Sequence, residues 1–449
     1  MSEDRSRQAY GEALSQFPGG VNSSVRALRP FPFFIDHGEG AHVVDVDGNR
    51  YLDYVMGYGP LLLGHSLPDP IQDRIAQRVA DGPMFGAPTV AGSELAAFII
   101  EHVDSVEKMR FVNSGTEATT TAVRLARGYT GRDRIVVVGG GYHGGLDATL
   151  VTGEHGQPAQ PNYAGVPAAS ANHTITVPYN DVEALESVFE RYGDQIAGVM
   201  VEPILGNTGF VHPIEGYLQA VRRITNEYGA LFILDEVMTG FRIGGLSCAQ
   251  GVLGVEPDLT TFAKVIGGGF PVGALGGKAT IMDHLTPSGD VFHASTYAAH
   301  PVGIVAGLEM LRYAKSHDVY DDLAELGDEL RSGLRDVLAD RAPEYTVVGR
   351  DSMFKIIFGD ASGAQTAGCA HGCRQDPSCD RFGTCPQTGT DVGDADGERW
   401  ERLFWPAMKD EGIFLTANQD ESQFVSAAHT EGDIAMTIDA YDRVLEQIV

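Results

Sequence analysis

Lysine is nearly missing from this chain. Its 449 residues hold six lysines, and all 32 basic residues together face 61 acidic ones, for a formal net charge of -29. A field of that sign repels phosphate backbones and anionic lipid, which argues against a nucleic-acid or membrane-surface partner. In dilute buffer the same field strains the compact state. At molar salt the Debye length falls to about 3 Å and the repulsion is screened, so the composition reads as salt adaptation, that of a halophilic protein. Long apolar runs are missing as well. No stretch approaches the roughly 20 residues of a membrane span, and the opening MSEDRSRQAY has no apolar segment of a secretion signal. The expectation is a cytoplasmic protein. Cysteine is scarce, with four of the five residues confined to 369–385.

What the chain does hold is a globular composition, 43% apolar and 21% charged, at a length that calls for two or three domains. From about residue 95 to 312 short apolar runs alternate with helical patterns. RFVNSG (110–115), RIVVVGGG (134–141), IAGVMVEP (196–203) and ALFILDEV (230–237) read as buried strands. TEATTTAVRLARGYTG, NDVEALESVFERYGD and GYLQAVRRITNEYG lie between them with helical spacing. The alternation predicts an α/β fold with a mostly parallel sheet, whose ligands sit beyond the carboxyl ends of the strands. After about 316 the order becomes helix, strands, an irregular polar loop at 359–396, then helix and strand, which predicts a smaller α+β domain. The expected division is an N-terminal segment 1–65, a large domain 66–312 and a C-terminal domain 313–449.

The strand ends carry the chemistry. Ser114, Gly115 and Thr116 follow a strand and open a helix, a setting for a phosphate or, more simply, a helix cap. Asp235 ends an apolar strand, where a carboxylate needs a cation or several donors; a protonated pyridine nitrogen and a structural arginine both qualify. Tyr142, after three glycines, can lie on a flat ligand or pack in a turn. Lys264 sits in TTFAKVIGGGFPVGALGGK (260–278), amid apolar residues and glycine. A desolvated lysine has a lowered pKa, and its neutral amine condenses with a carbonyl; a lysine snorkelling from an apolar loop is the simpler alternative. A phosphate cradle, an acid for a ring nitrogen, an aromatic for a ring face and an amine for an aldehyde are together the demands of pyridoxal phosphate.

FPGGVNSSVRAL (17–28), YGPLLLGH (58–65), FVNSGTEA (111–118), GGYHG (140–144), VEPILGN (201–207), LDEVMTGFR (234–242) and AKVIGGGFPVGALGG (263–277) occur in that order. On these stretches the chain resembles the class III aminotransferases of fold-type I, and within them the aminomutase branch acting on glutamate-1-semialdehyde in its haloarchaeal form. The resemblance implies a large domain with a seven-stranded, mostly parallel sheet and a smaller α+β domain, assembled as a homodimer. It implies pyridoxal 5'-phosphate, alternating with pyridoxamine 5'-phosphate, with Lys264 as the Schiff-base lysine, Asp235 on the ring nitrogen and Tyr142 on the ring face. Ser114, Gly115 and Thr116 match the phosphate loop, Thr296 a hydroxyl reaching the partner's phosphate, Glu202 and Asn207 residues near the ring oxygen, and Val237 an apolar contact beneath the ring.

The resemblance also implies a substrate pocket. Ser23 and Arg26 match residues for the substrate carboxylate, Tyr58 an aromatic lining the site, and Glu421 an acid facing the amino group. The reaction implied is an intramolecular amino exchange that yields 5-aminolevulinate for tetrapyrrole synthesis, with 151–168 as a mobile lid. Departures occur at Ser295 to Pro301, at Tyr58, where tryptophan is common, at Asp420, and in a lid without the usual lysine; they bear on substrate identity. The alternative is a class III aminotransferase for an ω- or β-amino acid, which uses the same cofactor residues on two substrates.

Cys369, Cys373, Cys379 and Cys385, with His371 between the first two, suggest a structural metal in a cytoplasmic chain, zinc being the simplest, or else free or redox-active thiols. Gly139 to Gly144 satisfies G-x-G-x-x-G after a strand but lacks an acid about 20 residues on, which argues against a nicotinamide site. Gly277-Lys278 is followed by Ala279, so there is no P-loop.

Overall fold

Seven strands form the centre of residues 69–320: β1 (Lys108–Val112), β2 (Arg134–Val138), β3 (Thr174–Val177), β4 (Ile196–Val201), β5 (Leu231–Asp235), β6 (Leu259–Phe262) and β7 (Gly273–Gly277). Their spatial order is β1-β7-β6-β5-β4-β2-β3. β2 to β6 run parallel to one another, and β7 is antiparallel to both neighbours. Every residue of β4 and β5 is buried, as expected for strands covered on both faces. The core joins Ile135, Ala197, Met200, Ile233 and Leu275 of the sheet to Ala122, Leu125 and Ala126 of helix α1 (Gly115–Thr130). Those helix residues recur at the spacing that places them on one face. Gly131, at φ 68, ends α1 in the left-handed conformation that glycine adopts without steric cost.

The structure, a computed structural model, describes residues 2–359 and 396–449. Residues 69–320 form one compact unit; 2–68, 321–359 and 396–449 form the other. The second unit holds a sheet of Ile35–Glu39, His42–Asp45, Arg50–Asp53 and Ile413–Phe414, and an antiparallel one of Thr346–Arg350, Met353–Ile357 and Gln423–Phe424. Phe358, Trp400 and Phe404 pack with ring centroids 4.9–5.2 Å apart beside the second sheet.

Cys369, Cys373, Cys379, Cys385 and His371 lie outside the described residues. Among those described, no group of three or more His, Cys, Asp or Glu could hold a metal ion, and no helix is long and apolar enough to cross a membrane. The segment expected as a lid carries a two-stranded pairing of Val151–Thr152 with Gln160–Pro161.

Candidate functional site

Residues from four loops of the 69–320 unit join Asp235 at one edge of its sheet. Ser114 comes two positions after β1, Tyr142 and His143 follow β2, Glu202 follows β4, Asp235 closes β5, and Lys264 comes two positions after β6. Parallel strands point their carboxyl ends the same way, so the topology itself gathers these side chains at one edge.

Asp235 is buried at 3% exposure. Strand register places it opposite Thr261. Its Oδ1 accepts from the Thr261 hydroxyl at 2.8 Å and from the Val237 N–H at 3.0 Å, while Oδ2 lies 2.7 Å from His143 Nδ1. The partner demanded by that buried carboxylate is therefore neither an arginine nor only a ligand. It is His143, which sequence reasoning passed over although it is the residue next to Tyr142 in GGYHG. Burial pulls the His143 pKa down, but its hydrogen bond to Asp235 and the charges of Asp235 and Glu202 outweigh burial and leave it raised. Among the described residues, His143 Nε2 is buried without a hydrogen-bond partner.

Glu202 accepts from the Tyr142 N–H at 2.9 Å and from the Gly206 N–H at 3.1 Å. Burial pushes its pKa up to about 7; the charge of His143 and the two backbone donors pull the other way, and Asp235 adds to the rise. A carboxyl that titrates near neutrality thus stands beside the His143–Asp235 pair. Tyr142 is 57% exposed, an aromatic side chain at the surface of the loop after β2.

At the start of α1 Ser114 is the helix cap, which leaves it free to take part in a phosphate site as well. Its Oγ accepts from the Glu117 N–H at 3.2 Å, which makes it the cap, and a hydroxyl that accepts still has its proton to donate. The N–H groups of Gly115 and Thr116 belong to the first turn, where the helix itself supplies no acceptor. Thr116 Oγ1 accepts from the Gly145 N–H at 3.1 Å. Two glycines make this approach possible. A Cβ on Gly144, whose φ is +79°, would stand 2.4 Å from Thr116 Oγ1, and one on Gly115 would stand 2.9 Å from Val237 Cγ1.

Lys264 opens the short turn Lys264–Gly267 with φ 49 and is partly buried. A side-chain-bearing residue in the left-handed region is uncommon and marks stored strain. Lys278, the other lysine of that stretch, has a structural partner, with Nζ 2.5 Å from Asp258 Oδ1. Asn207 is partly buried in the loop closed by paired backbone bonds between Leu205 and Val211. Thr296 is exposed, next to Ser295, whose hydroxyl accepts from Asn113 Nδ2 at 2.7 Å.

The expected substrate residues all belong to the other unit. Ser23 precedes the turn Ser24–Arg26, and its carbonyl accepts from the Arg26 N–H at 3.0 Å. Tyr58, at φ 66, donates its hydroxyl to the Val25 carbonyl at 2.7 Å. Burial first, then the charge of Glu421, pushes the Tyr58 phenol up to about 12, with Arg26 acting against them. Tyr58, Arg26 and Glu421 therefore share one neighbourhood. Arg26 and Tyr58 line a cavity of about 440 Å³ that also contains Asp53 and His65 among aromatic and aliphatic walls.

The donor set fits pyridoxal phosphate on the structure's own terms. The Gly115–Gly144 cradle is narrow enough that a Cβ would obstruct it, the helix start offers N–H groups, Asp235 is held by three donors, and Tyr142 in the loop after β2 is an exposed aromatic. Comparison with known proteins bears on the same point. The sequence profile described as aminotransferase class-III matches residues 23–371. The glutamate-1-semialdehyde 2,1-aminomutase of Haloarcula marismortui is 59% identical over 446 residues, covering 99% of this chain and 100% of that protein. Among solved structures, an omega-transaminase from Sphaerobacter thermophilus superposes with a TM-score of 0.86 at 33% identity, covering 99% of this chain and 97% of its own. A transaminase with PLP bound superposes at 0.85 with 28% identity, covering 100% of this chain and 98% of its own.

Proposed function

The chain belongs to the class-III aminotransferase family, and from that premise we propose that it is a pyridoxal phosphate-dependent aminomutase. It moves an amino group within glutamate-1-semialdehyde to give 5-aminolevulinate for tetrapyrrole synthesis, and works as a cytoplasmic homodimer. The observation that carries this reading is the match along essentially the whole of both chains, at 59% identity, to a relative of that name. The omega-transaminase that resembles it in shape is only 33% identical.

The cofactor, when bound, supplies an exchangeable nitrogen and a ring that accepts electrons. The remaining work falls to side chains of this protein. Lys264 would tether the cofactor through its amine and move protons at the substrate. Asp235, fixed by His143, Thr261 and the Val237 N–H, would keep a proton on the ring nitrogen. Tyr142 and Val237 would contact the ring, Glu202 and Asn207 its oxygen, and Ser114, Gly115 and Thr116 would hold the phosphate, joined by Thr296 of the partner subunit. Arg26 clamps the substrate carboxylate with Ser23, each charge-assisted bond contributing roughly 1.5–3 kcal/mol. Tyr58 lines the pocket, and Glu421 faces the amino group. In a protein of net charge -29, a local cation is what makes room for the substrate's carboxylate.

The test is a one-substrate assay in high salt. Glutamate-1-semialdehyde supplied alone is converted to 5-aminolevulinate. A strict requirement for a separate amino donor would overturn the reading and support an aminotransferase of ω- or β-amino acids.

A further inference from the structure

Lys355 occupies the middle of the strand Met353–Ile357 and is wholly buried. Burying an ammonium is costly unless a specific interaction compensates. Among the described residues it donates one hydrogen bond, to the Asn418 carbonyl at 3.4 Å, and its Nζ lies 4.3 Å from the centroid of the Trp400 ring. The Asn418 carbonyl accepts also from the Glu421 N–H, at 3.3 Å. The far side of this turn is tied back as well. Trp400 Nε1 donates to the Thr416 carbonyl at 3.1 Å, Gln423 Nε2 donates to Thr416 Oγ1 at 3.1 Å, and that hydroxyl donates to the Glu421 carbonyl at 3.2 Å.

Lys355 and Trp400 thus hold one turn, 416–421, at two points, Asn418 and Thr416, and Glu421 is its last residue. Burial brings the Lys355 pKa down to about 7, against the pull of Asp420 and Glu421. Stability gives no reason for such a lysine, since a buried charge replaced by an apolar side chain of similar volume is commonly neutral or stabilising.

We propose that Lys355 is a positioning residue for the substrate site: through the shared Asn418 carbonyl it fixes the turn that carries Glu421, and with it the place of the Glu421 carboxylate. The inference rests on the reading of Glu421 as the acid that faces the substrate's amino group.

A double-mutant cycle on the cofactor-loaded enzyme in 2 M KCl tests it, using Lys355→Met, Glu421→Gln and the double variant. Lys355→Met is expected to melt at the wild-type temperature or a few degrees above it, and to raise KM for glutamate-1-semialdehyde at least tenfold while kcat changes less. The double variant should be no worse than Glu421→Gln alone, because Lys355 acts through Glu421. Should the Met variant not accumulate as folded protein, Lys355→Gln takes its place in the cycle. A wild-type KM in the Lys355 variant, or losses that multiply in the double variant, overturns the inference while an impaired Glu421→Gln leaves the functional reading standing. An unimpaired Glu421→Gln removes the role of Glu421 and the inference with it.

Discussion

His143 Nδ1 lies 2.7 Å from Asp235 Oδ2, with both side chains almost fully withdrawn from water. Behind this pair stands Glu202, whose pKa burial has pushed up to about 7. His143 is held above its ordinary value of 6.5, because its bond to Asp235 and the nearby negative charges overcome burial. A raised histidine pKa means that the folded state binds the proton more tightly than the unfolded one. The resulting stability is complete below about pH 6.5 and is lost as pH climbs through the folded-state value. His143→Asn keeps a neutral donor for Asp235 and removes this term. The melting-temperature gap between wild type and variant should therefore be widest near pH 6 and narrow toward pH 9. A gap independent of pH would show that the pair carries no extra proton. Because His143 holds the acid proposed to meet the cofactor's ring nitrogen, kcat should also fall by about 10–100-fold, the cost of losing a comparable support behind a metal ligand.

Lys264→Ala should lower turnover by about 10³-fold or more, since tethering and proton transfer both depend on one amine. The fold should survive. Lys264 is only partly buried, and alanine is not expected to adopt its left-handed conformation, φ 49, less readily than lysine does. Borohydride reduction followed by peptide mass spectrometry should place the cofactor on Lys264 in the wild type and on no residue of the variant. A cofactor found on another amine, or activity retained without Lys264, ends the mechanism.

Gly144→Ala attacks the cradle and leaves the reacting groups in place. The new methyl would lie 2.4 Å from Thr116 Oγ1, at a backbone φ of +79°, where an L side chain costs roughly 1–2 kcal/mol before any clash. Thr116 must then yield, and with it the hydroxyl and N–H at the start of α1. Cofactor affinity, followed by absorbance titration of the apoprotein, should fall at least tenfold, with a smaller loss of kcat at saturating cofactor. Unchanged affinity would mean that the phosphate is held elsewhere.

How far the chain could be read in advance depended on how strongly each segment declares its environment. IAGVMV and LFILD are wholly buried strands, and an unbroken apolar run says as much. RFVNSG was read too long: the strand stops at Val112 because Ser114 turns to cap α1. β7, GALGG, has almost no side chains from which a strand pattern could be read. Its glycines permit close approach, as at Gly273, where a Cβ would stand 2.5 Å from the Ser114 carbonyl. Asp235 announced itself as an acid at the end of an apolar strand. His143 did not, since a histidine in a glycine-rich turn carries no periodic signal and it is buried against Asp235 only because the loop after β2 reaches past β4 to the end of β5. Lys355 was likewise absorbed into one of the strands expected after residue 316, in the stretch MFKIIF (353–358); a single charge in such a run was the available clue.

The last prediction concerns salt. Ion pairs exist on the surface, among them Arg223–Glu186 at 2.5 Å, Arg402–Glu398 at 2.7 Å and Arg443–Glu411 at 2.6 Å, and added salt weakens each of them. Exposed pairs contribute only about 0–1 kcal/mol apiece, however, and 32 cations cannot neutralise 61 carboxylates. Repulsion among the unmatched carboxylates reaches across about 10 Å at 0.1 M salt and only about 3 Å at 1 M, so screening it outweighs the loss of the pairs. Melting temperature and activity should both rise from 0.1 M to 2 M KCl. Removing four exposed carboxylates from the helix Val319–Arg341, with Glu325→Gln, Glu329→Gln, Asp336→Asn and Asp340→Asn, should lessen the dependence by stabilising the protein mainly at low salt. Equal melting temperatures at the two salt concentrations in the wild type would refute salt adaptation. A variant whose slope matches the wild type's would instead locate the critical repulsion away from this helix.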